Sequence, residues 1–213
     1  METDSKVFSK KQLAILQVAE SLFIEKGYNQ VSIKEIATGA GINSAQVFYY
    51  FITKENLLEQ MLEWRIHQLL EKIDAVVSDK ALPIQTRLVL LIEQYVELGF
   101  ANPLVLAQLF YENAISEHAG TRELLSNFKE RNSIIIAGVI QAGQEQGVVK
   151  KTASVELITG LIVGTITYMV INRDDYREIM QQRQLDEEAG REELKRILAG
   201  YLKGILQSIL IYE

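Results

Sequence analysis

The side chains in this sequence that could do chemistry are spaced for contact rather than for bond-breaking. The two histidines, His67 and His118, lie 51 positions apart, and there is no cysteine. No His-Glu-x-x-His pair, phosphate loop, Gly-x-Ser-x-Gly elbow or dinucleotide fingerprint occurs. Neither a metal nor a cofactor is therefore expected, and the chain reads as not an enzyme. The acid clusters Asp174-Asp175, Asp186-Glu187-Glu188 and Glu192-Glu193 read as solvated faces. What does recur is a short polar residue followed three positions later by Gln or Glu, in Ser9–Gln12, Ser32–Glu35 and Asn43–Gln46. At that spacing the two side chains satisfy each other's backbone donors at the start of a helix.

These signals place four helices in the first part of the chain. The stripe Leu13, Leu16, Ala19 and Phe23 predicts a helix from Lys10 to Lys26, stopped by Gly27. Ser32 opens a short helix containing Ile33, Ile36 and Ala37, which Gly39-Ala40-Gly41 interrupts. Asn43 opens another, with Val47, Phe48 and Phe51 as apolar anchors, ending near Tyr50. Thr53 caps a long amphipathic helix through Leu58, Leu62, Ile66, Leu69, Ile73 and Val76. Two short helices on a tight glycine turn, leaning on a longer one, make a helix-turn-helix, but by geometry alone they are equally a plain helical hairpin.

Farther on, helices are predicted from Ile84 to Phe100, from Thr121 to Gln146, after Ser154 to about Ile171 and from Glu192 to Ile211, and Asn102-Pro103 breaks the chain before a segment that runs to about Glu117. The charged stretch Asp174 to Glu188 reads as exposed and partly loose. The apolar run Val155 to Ile171 has 17 residues, short of the ~20 a bilayer span requires, and reads as a buried helix rather than a membrane segment. Only two prolines and 48% hydrophobic residues fit an all-α protein with a sizeable core. The polar N-terminus carries no signal peptide, and with the absent cysteines it fits the cytoplasm.

Charge argues against nucleic acid at first sight, since the chain is at −6. The first 60 residues hold six lysines and seven acids, so that segment is near neutral and most of the acid excess lies beyond it. It is still no basic patch, and electrostatics alone would not have suggested DNA.

The segment from Val31 to Glu55 resembles the DNA-binding signature of the tetracycline-repressor (TetR) family. Ser32, Ile36-Ala37, Ala40-Gly41-Ile42, Tyr49-Tyr50-Phe51 and Lys54-Glu55 agree with it in register. The resemblance covers about 45 residues with the first helix included, and the rest matches only in length and helicity. Asn43 stands where Ser is commonest, Ala45 where Gly is frequent and Phe48 where Tyr is usual. The resemblance implies a helix-turn-helix DNA-binding domain over residues 1–54 and a helical effector-binding and dimerisation domain over 55–213. It also implies a transcriptional regulator, by habit a repressor, that a small molecule releases from a pseudo-palindromic operator. The alternative is an all-helical ligand-binding or protein-interaction module without specific DNA binding.

In a helix-turn-helix the second helix enters the major groove with its N-terminal residues at the base edges. Here that helix offers Asn43, Ser44, Ala45, Gln46 and Tyr49. Gln46 is suited to adenine, bidentately, and Ala45 to a thymine methyl. The resemblance adds Lys34, for guanine or a phosphate. Ser32, Tyr49, Tyr50 and Lys54 are placed for phosphates, which set register without reading sequence.

Two late helices carry Gly-x-x-x-Gly, Gly160 with Gly164 and Gly200 with Gly204. Small residues four apart make a flat stripe for a close helix neighbour, in the same chain or in a second copy. The resemblance favours a homodimer through these helices. It also implies an effector pocket in the middle of the chain, for which the candidates are Trp64, His67, Tyr95, Phe100, Phe110, Tyr111, Asn113, Phe128 and Tyr168. Aromatic walls with few polar groups suit an apolar or amphipathic small molecule.

Overall fold

The computed structural model describes residues 8–110, 119–172, 176 and 185–209, and of residues 107–110 the backbone alone. Helix α1, Lys10–Lys26, starts on a capping box, in which the Ser9 N–H donates to Gln12 Oε1 at 3.0 Å and Ser9 Oγ accepts from the Gln12 N–H at 3.3 Å. It buries Ile15, Leu16, Ala19 and Phe23. A short 3₁₀ turn, Tyr28–Gln30, leads to α2, Ile33–Gly39, and α3, Ser44–Phe51. Between α2 and α3 the chain turns at Gly41, whose φ of +66° lies where a side chain would be strained.

Helix α4, Lys54–Ser78, joins the two halves. Thr53 Oγ1 caps it by accepting the Asn56 N–H at 3.0 Å. Its buried residues Leu57, Leu58, Met61, Leu62, Ile66, Leu69, Leu70 and Ile73 form a continuous stripe. Each such side chain contributes roughly 1.5–3 kcal/mol when fully buried. The helix packs on α1 and α3 and also on α5 (Ile84–Ala101), α6 (Pro103–Phe110) and α7 (Ala119–Glu145). Pro103 opens α6, where its missing N–H costs nothing.

Helix α8, Val155–Ile171, lies against α5, α6 and α7, and α9, Glu187–Ile209, lies against α5. The α5–α8 approach depends on Gly99, because a Cβ there would sit 2.5 Å from Ile166 Cγ2. Leu194, Leu198, Leu202 and Leu206, four apart, form the inner face of α9. Lys195 reaches Glu97 at 2.8 Å, Lys203 pairs with Glu93, and Arg191 donates to the Phe100 carbonyl at 2.7 Å.

Two expectations about these elements change. The last helix begins at Glu187 rather than Glu192, because Asp186 Oδ1 accepts the Ala189 N–H at 2.8 Å and starts it a turn earlier. Helix α8 is buried on one face only, through Ile166, Thr167 and Val170; Leu157, Leu161 and Tyr168 point outward. Its high apolarity comes from two apolar faces rather than from enclosure. No helix among the described residues is long and apolar enough to cross a membrane.

Candidate nucleic-acid interface

Two capping boxes frame the turn between α2 and α3. Ser32 donates its N–H and its Oγ–H to Glu35 Oε2, both at 2.8 Å, and Ser32 Oγ accepts the Glu35 N–H at 3.2 Å. Lys26 adds an ion pair to Glu35 Oε1 at 3.1 Å. Hydrogen bonds from the Ser32 backbone and side chain, then from Lys26, hold the Glu35 carboxyl at about 2, below its usual 4.5. The second box uses Asn43, whose Oδ1 accepts the Gln46 N–H at 2.9 Å, while the Asn43 N–H donates to Gln46 Oε1 at 3.3 Å. Local chemistry thus fixes where both short helices start.

Helix α3 is anchored by Val47 and Phe51, each 1% exposed, against Ile36, Ala37 and the start of α4. With those two inward, a rotation of 100° per residue turns Ala45, Phe48, Tyr49 and Ile52 outward. Tyr49 is 81% exposed, and its ring meets Tyr50 edge-on at 5.1 Å between centroids. Ser44, Gln46 and Tyr50 are half-buried at the flanks, and Asn43, Ala45, Ser32 and Lys34 are exposed. Phe48 is not the core anchor its hydrophobicity suggested: it is 49% exposed, one residue round from Val47. It belongs to the outward face, and the helical angle from Val47 and Phe51 was the signal that could have placed it there. Ile52 ends α3 at a φ of +50°, a strained setting for a β-branched residue.

Lys54 is turned inward. Its Nζ donates to the Tyr28 carbonyl at 2.6 Å and lies 4.3 Å from the centre of the Tyr28 ring, and burial pulls its pKa down. Burial and the neighbouring Glu55 push the Tyr28 phenol up to about 12. Lys54 therefore ties the 3₁₀ turn to the start of α4, and Ser32 Oγ is engaged by Glu35. Each would have to leave its partner to touch a phosphate.

A second tie, unforeseen from sequence, joins α1 to α4. The Arg65 Nε donates to Glu20 Oε1 at 2.8 Å and Oε2 at 3.0 Å, its Nη2 also reaches Oε2, and its Nη1 meets Gln68 at 3.2 Å. The guanidinium lies 4.2 Å from the centre of the Trp64 ring.

The arrangement is a capped turn, a short outward helix and a rigid mount, and the similarities to known proteins agree with it. The family described as bacterial regulatory proteins, tetR family, matches residues 15–61. Over that segment the chain is similar to the TetR family. It is 26% identical over 172 residues to the fatty acid metabolism regulator protein of Bacillus subtilis, covering 78% of this chain and 87% of that one. The structure of the ketosteroid transcriptional regulator KstR2 of Mycobacterium tuberculosis shares the fold, with a TM-score of 0.69, 18% identity and 98% of each chain covered. So does FadR from Bacillus subtilis in complex with stearoyl-CoA, with a TM-score of 0.65, 22% identity, and 89% of this chain and 96% of that one covered. The matched segment is of the kind that bacterial DNA-binding transcriptional regulators carry.

The residues suggested for an effector pocket are not all brought together. Tyr95, Phe100 and Phe128 are buried in the helical core. Tyr95 donates its hydroxyl hydrogen to the buried Asn132 Oδ1, and burial raises its pKa. Trp64 is half-buried, and His67 has its Nδ1 3.5 Å from the Glu71 carboxylate. Tyr168 is 57% exposed and lines an open groove on α8 with Leu157, Gly160, Leu161 and Gly164, so it does not face the interior. The reason is its place on the helix: Tyr168 follows the inward Ile166 and Thr167 onto the opposite face. The Phe110 side chain, Tyr111 and Asn113 lie outside the described residues. Sequence reading missed the buried polar residues Gln60, Thr121, Asn132 and Thr167. Their residue types gave no sign of burial.

Proposed function

We propose that this regulator acts in the cytoplasm as a homodimer, reads a pseudo-palindromic operator with α3, and is released by an apolar or amphipathic small molecule. The observation that carries the reading is the outward face of α3, with Tyr49 fully presented while Val47 and Phe51 lock the helix from behind. Residues 1–54 serve as the reading domain and 55–213 as the effector and dimer domain. Ala45, Phe48 and Tyr49 meet the groove, Asn43, Ser44 and Gln46 lie at its base edges, and Lys34 and Tyr50 flank it. Phe48 and Ala45 supply apolar contacts for thymine methyls.

The glycine stripes support the dimer. Among the described residues, a Cβ placed on Gly160, Gly164, Gly200 or Gly204 would meet nothing within 4 Å, whereas Gly39, Gly99 and Gly143 are each closely packed. Intrachain packing therefore does not account for the four. Each costs roughly 1 kcal/mol relative to alanine in a helix. Beside them Leu157, Leu161, Tyr201 and Ile205 are exposed, so each stripe lies on an apolar face suited to a second copy.

The effector side is supported by the apolar interior and the Tyr95–Asn132 pair, which would orient one polar group of a mostly apolar ligand. A relative named for fatty acid metabolism and a structure holding stearoyl-CoA favour a long-chain molecule. Helix α6 packs on α1 as well as on α4, α5 and α8, so a ligand that displaces α6 moves the reading domain. Release requires that the ligand bind the displaced state more tightly.

The test is competition binding to DNA from upstream of the protein's own gene, with wild type and Tyr49→Ala. Site-selective binding that weakens at least about tenfold in the variant supports the reading. Binding no better than to random DNA, unchanged by the substitution, would favour an all-helical ligand-binding module, for which the near-neutral reading domain speaks.

A further inference from the structure

On the reading helix, Gln46 has two hydrogen-bonding ends that are not equally available. Its backbone N–H donates to Asn43 Oδ1 at 2.9 Å, and its side-chain Oε1 accepts the Asn43 backbone N–H at 3.3 Å. The backbone donor decides which end of the amide faces the helix start, since only the oxygen can accept it. The Nε2 end, with two hydrogens, makes no hydrogen bond among the described residues. A glutamine that reads adenine bidentately must offer oxygen and nitrogen together. With the oxygen turned toward the helix start to accept the Asn43 N–H, the end of the amide left for the groove is a nitrogen with two N–H groups.

We propose that Gln46 reads DNA as a donor only and selects guanine at one base pair of each half-site. Guanine presents N7 and O6 side by side, two acceptors for two hydrogens on one nitrogen. Adenine sets a donor beside its N7, cytosine offers only a donor, and thymine has a single acceptor beside a methyl. This replaces the adenine expected from residue type alone, and it rests on the chain being a DNA reader.

The same chain supplies the substitution that separates capping from reading. Glu35 holds the equivalent third position of α2, and its carboxylate accepts the Ser32 N–H at 2.8 Å. Gln46→Glu therefore keeps the cap while turning the donor into an acceptor, and Gln46→Lys keeps donors without the cap. Wild type and both variants would each be used to select from a random-sequence duplex pool at low salt, with helix content and unfolding midpoint measured in parallel. Wild type is expected to enrich guanine at one position per half-site. Gln46→Glu, folded as well as wild type, lowers that guanine preference at least about tenfold and shifts it toward cytosine or adenine. Gln46→Lys retains guanine. The same preferred base in wild type and Gln46→Glu, or adenine in wild type at the responding position, overturns the proposal. If no sequence is enriched by any of the three, the DNA reading itself fails and the proposal with it.

Discussion

Removing Glu20 tests how much the ion pair between α1 and α4 contributes to the stability of the fold. The Glu20 side chain is 8% exposed, and its carboxylate is matched by three hydrogen bonds from Arg65, which is 24% exposed. Deleting one partner of a fully buried pair costs about 3–5 kcal/mol, because the other charge is left without compensation. Arg65 retains some water and its contact with Gln68, so the expected cost of Glu20→Ala is about 2–3 kcal/mol. For a chain of this size that is a fall of about 5–10 °C in Tm. Urea unfolding followed by far-ultraviolet circular dichroism measures the free energy directly. The double variant Glu20→Leu, Arg65→Met removes both charges and is expected to recover most of the loss. Raising salt should change the wild-type value little, since a pair this enclosed is weakly screened. A Glu20→Ala protein within about 0.5 kcal/mol of wild type, or a double variant no better than the single one, would refute the reasoning.

Gly99→Ala drives a Cβ to 2.5 Å from Ile166 Cγ2 and should destabilise by about 1–3 kcal/mol, whereas Gly160→Ala meets nothing within 4 Å among the described residues and should not destabilise the monomer. Denaturation at low protein concentration separates them, and sedimentation of Gly160→Leu should show weakened self-association. The Glu35 carboxyl is depressed to about 2, so its stabilising share is present above its usual 4.5 and is lost as pH falls through about 2. Glu35→Gln should flatten that acid limb in a pH series of unfolding midpoints. Tyr95→Phe leaves Asn132 Oδ1 buried without its donor, and the urea midpoint should fall by the equivalent of about 1–3 kcal/mol.

What was legible in the sequence was whatever depends on neighbours three or four positions away. The boxes at Ser9, Ser32 and Asn43 and the caps at Thr53 and Ser154 are local, and the helices begin where those residues place them. Asp186 was passed over because it sits inside an acidic run that also reads as a solvated face. Features made by distant residues were not legible. Glu20 and Arg65 are 45 positions apart, and nothing in either segment names the other. Phe48 and Tyr168 were judged by residue type, and helical angle decided against that. Lys54 matched a DNA-binding signature, yet the fold sets the Tyr28 carbonyl within its reach. The glycine pairs were legible as stripes, but which face they lie on required the packing of Leu194, Leu198 and Leu202 to be known.

The most direct measurement is a nuclease footprint of the purified protein on DNA upstream of its own gene, with stoichiometry measured on the protected fragment. The account predicts a protected pseudo-palindrome holding chains in pairs, with half-site centres about one helical turn apart or a multiple of it, lost in Tyr49→Ala. Uniform cleavage at every protein concentration, or protection that Tyr49→Ala leaves intact, would contradict it.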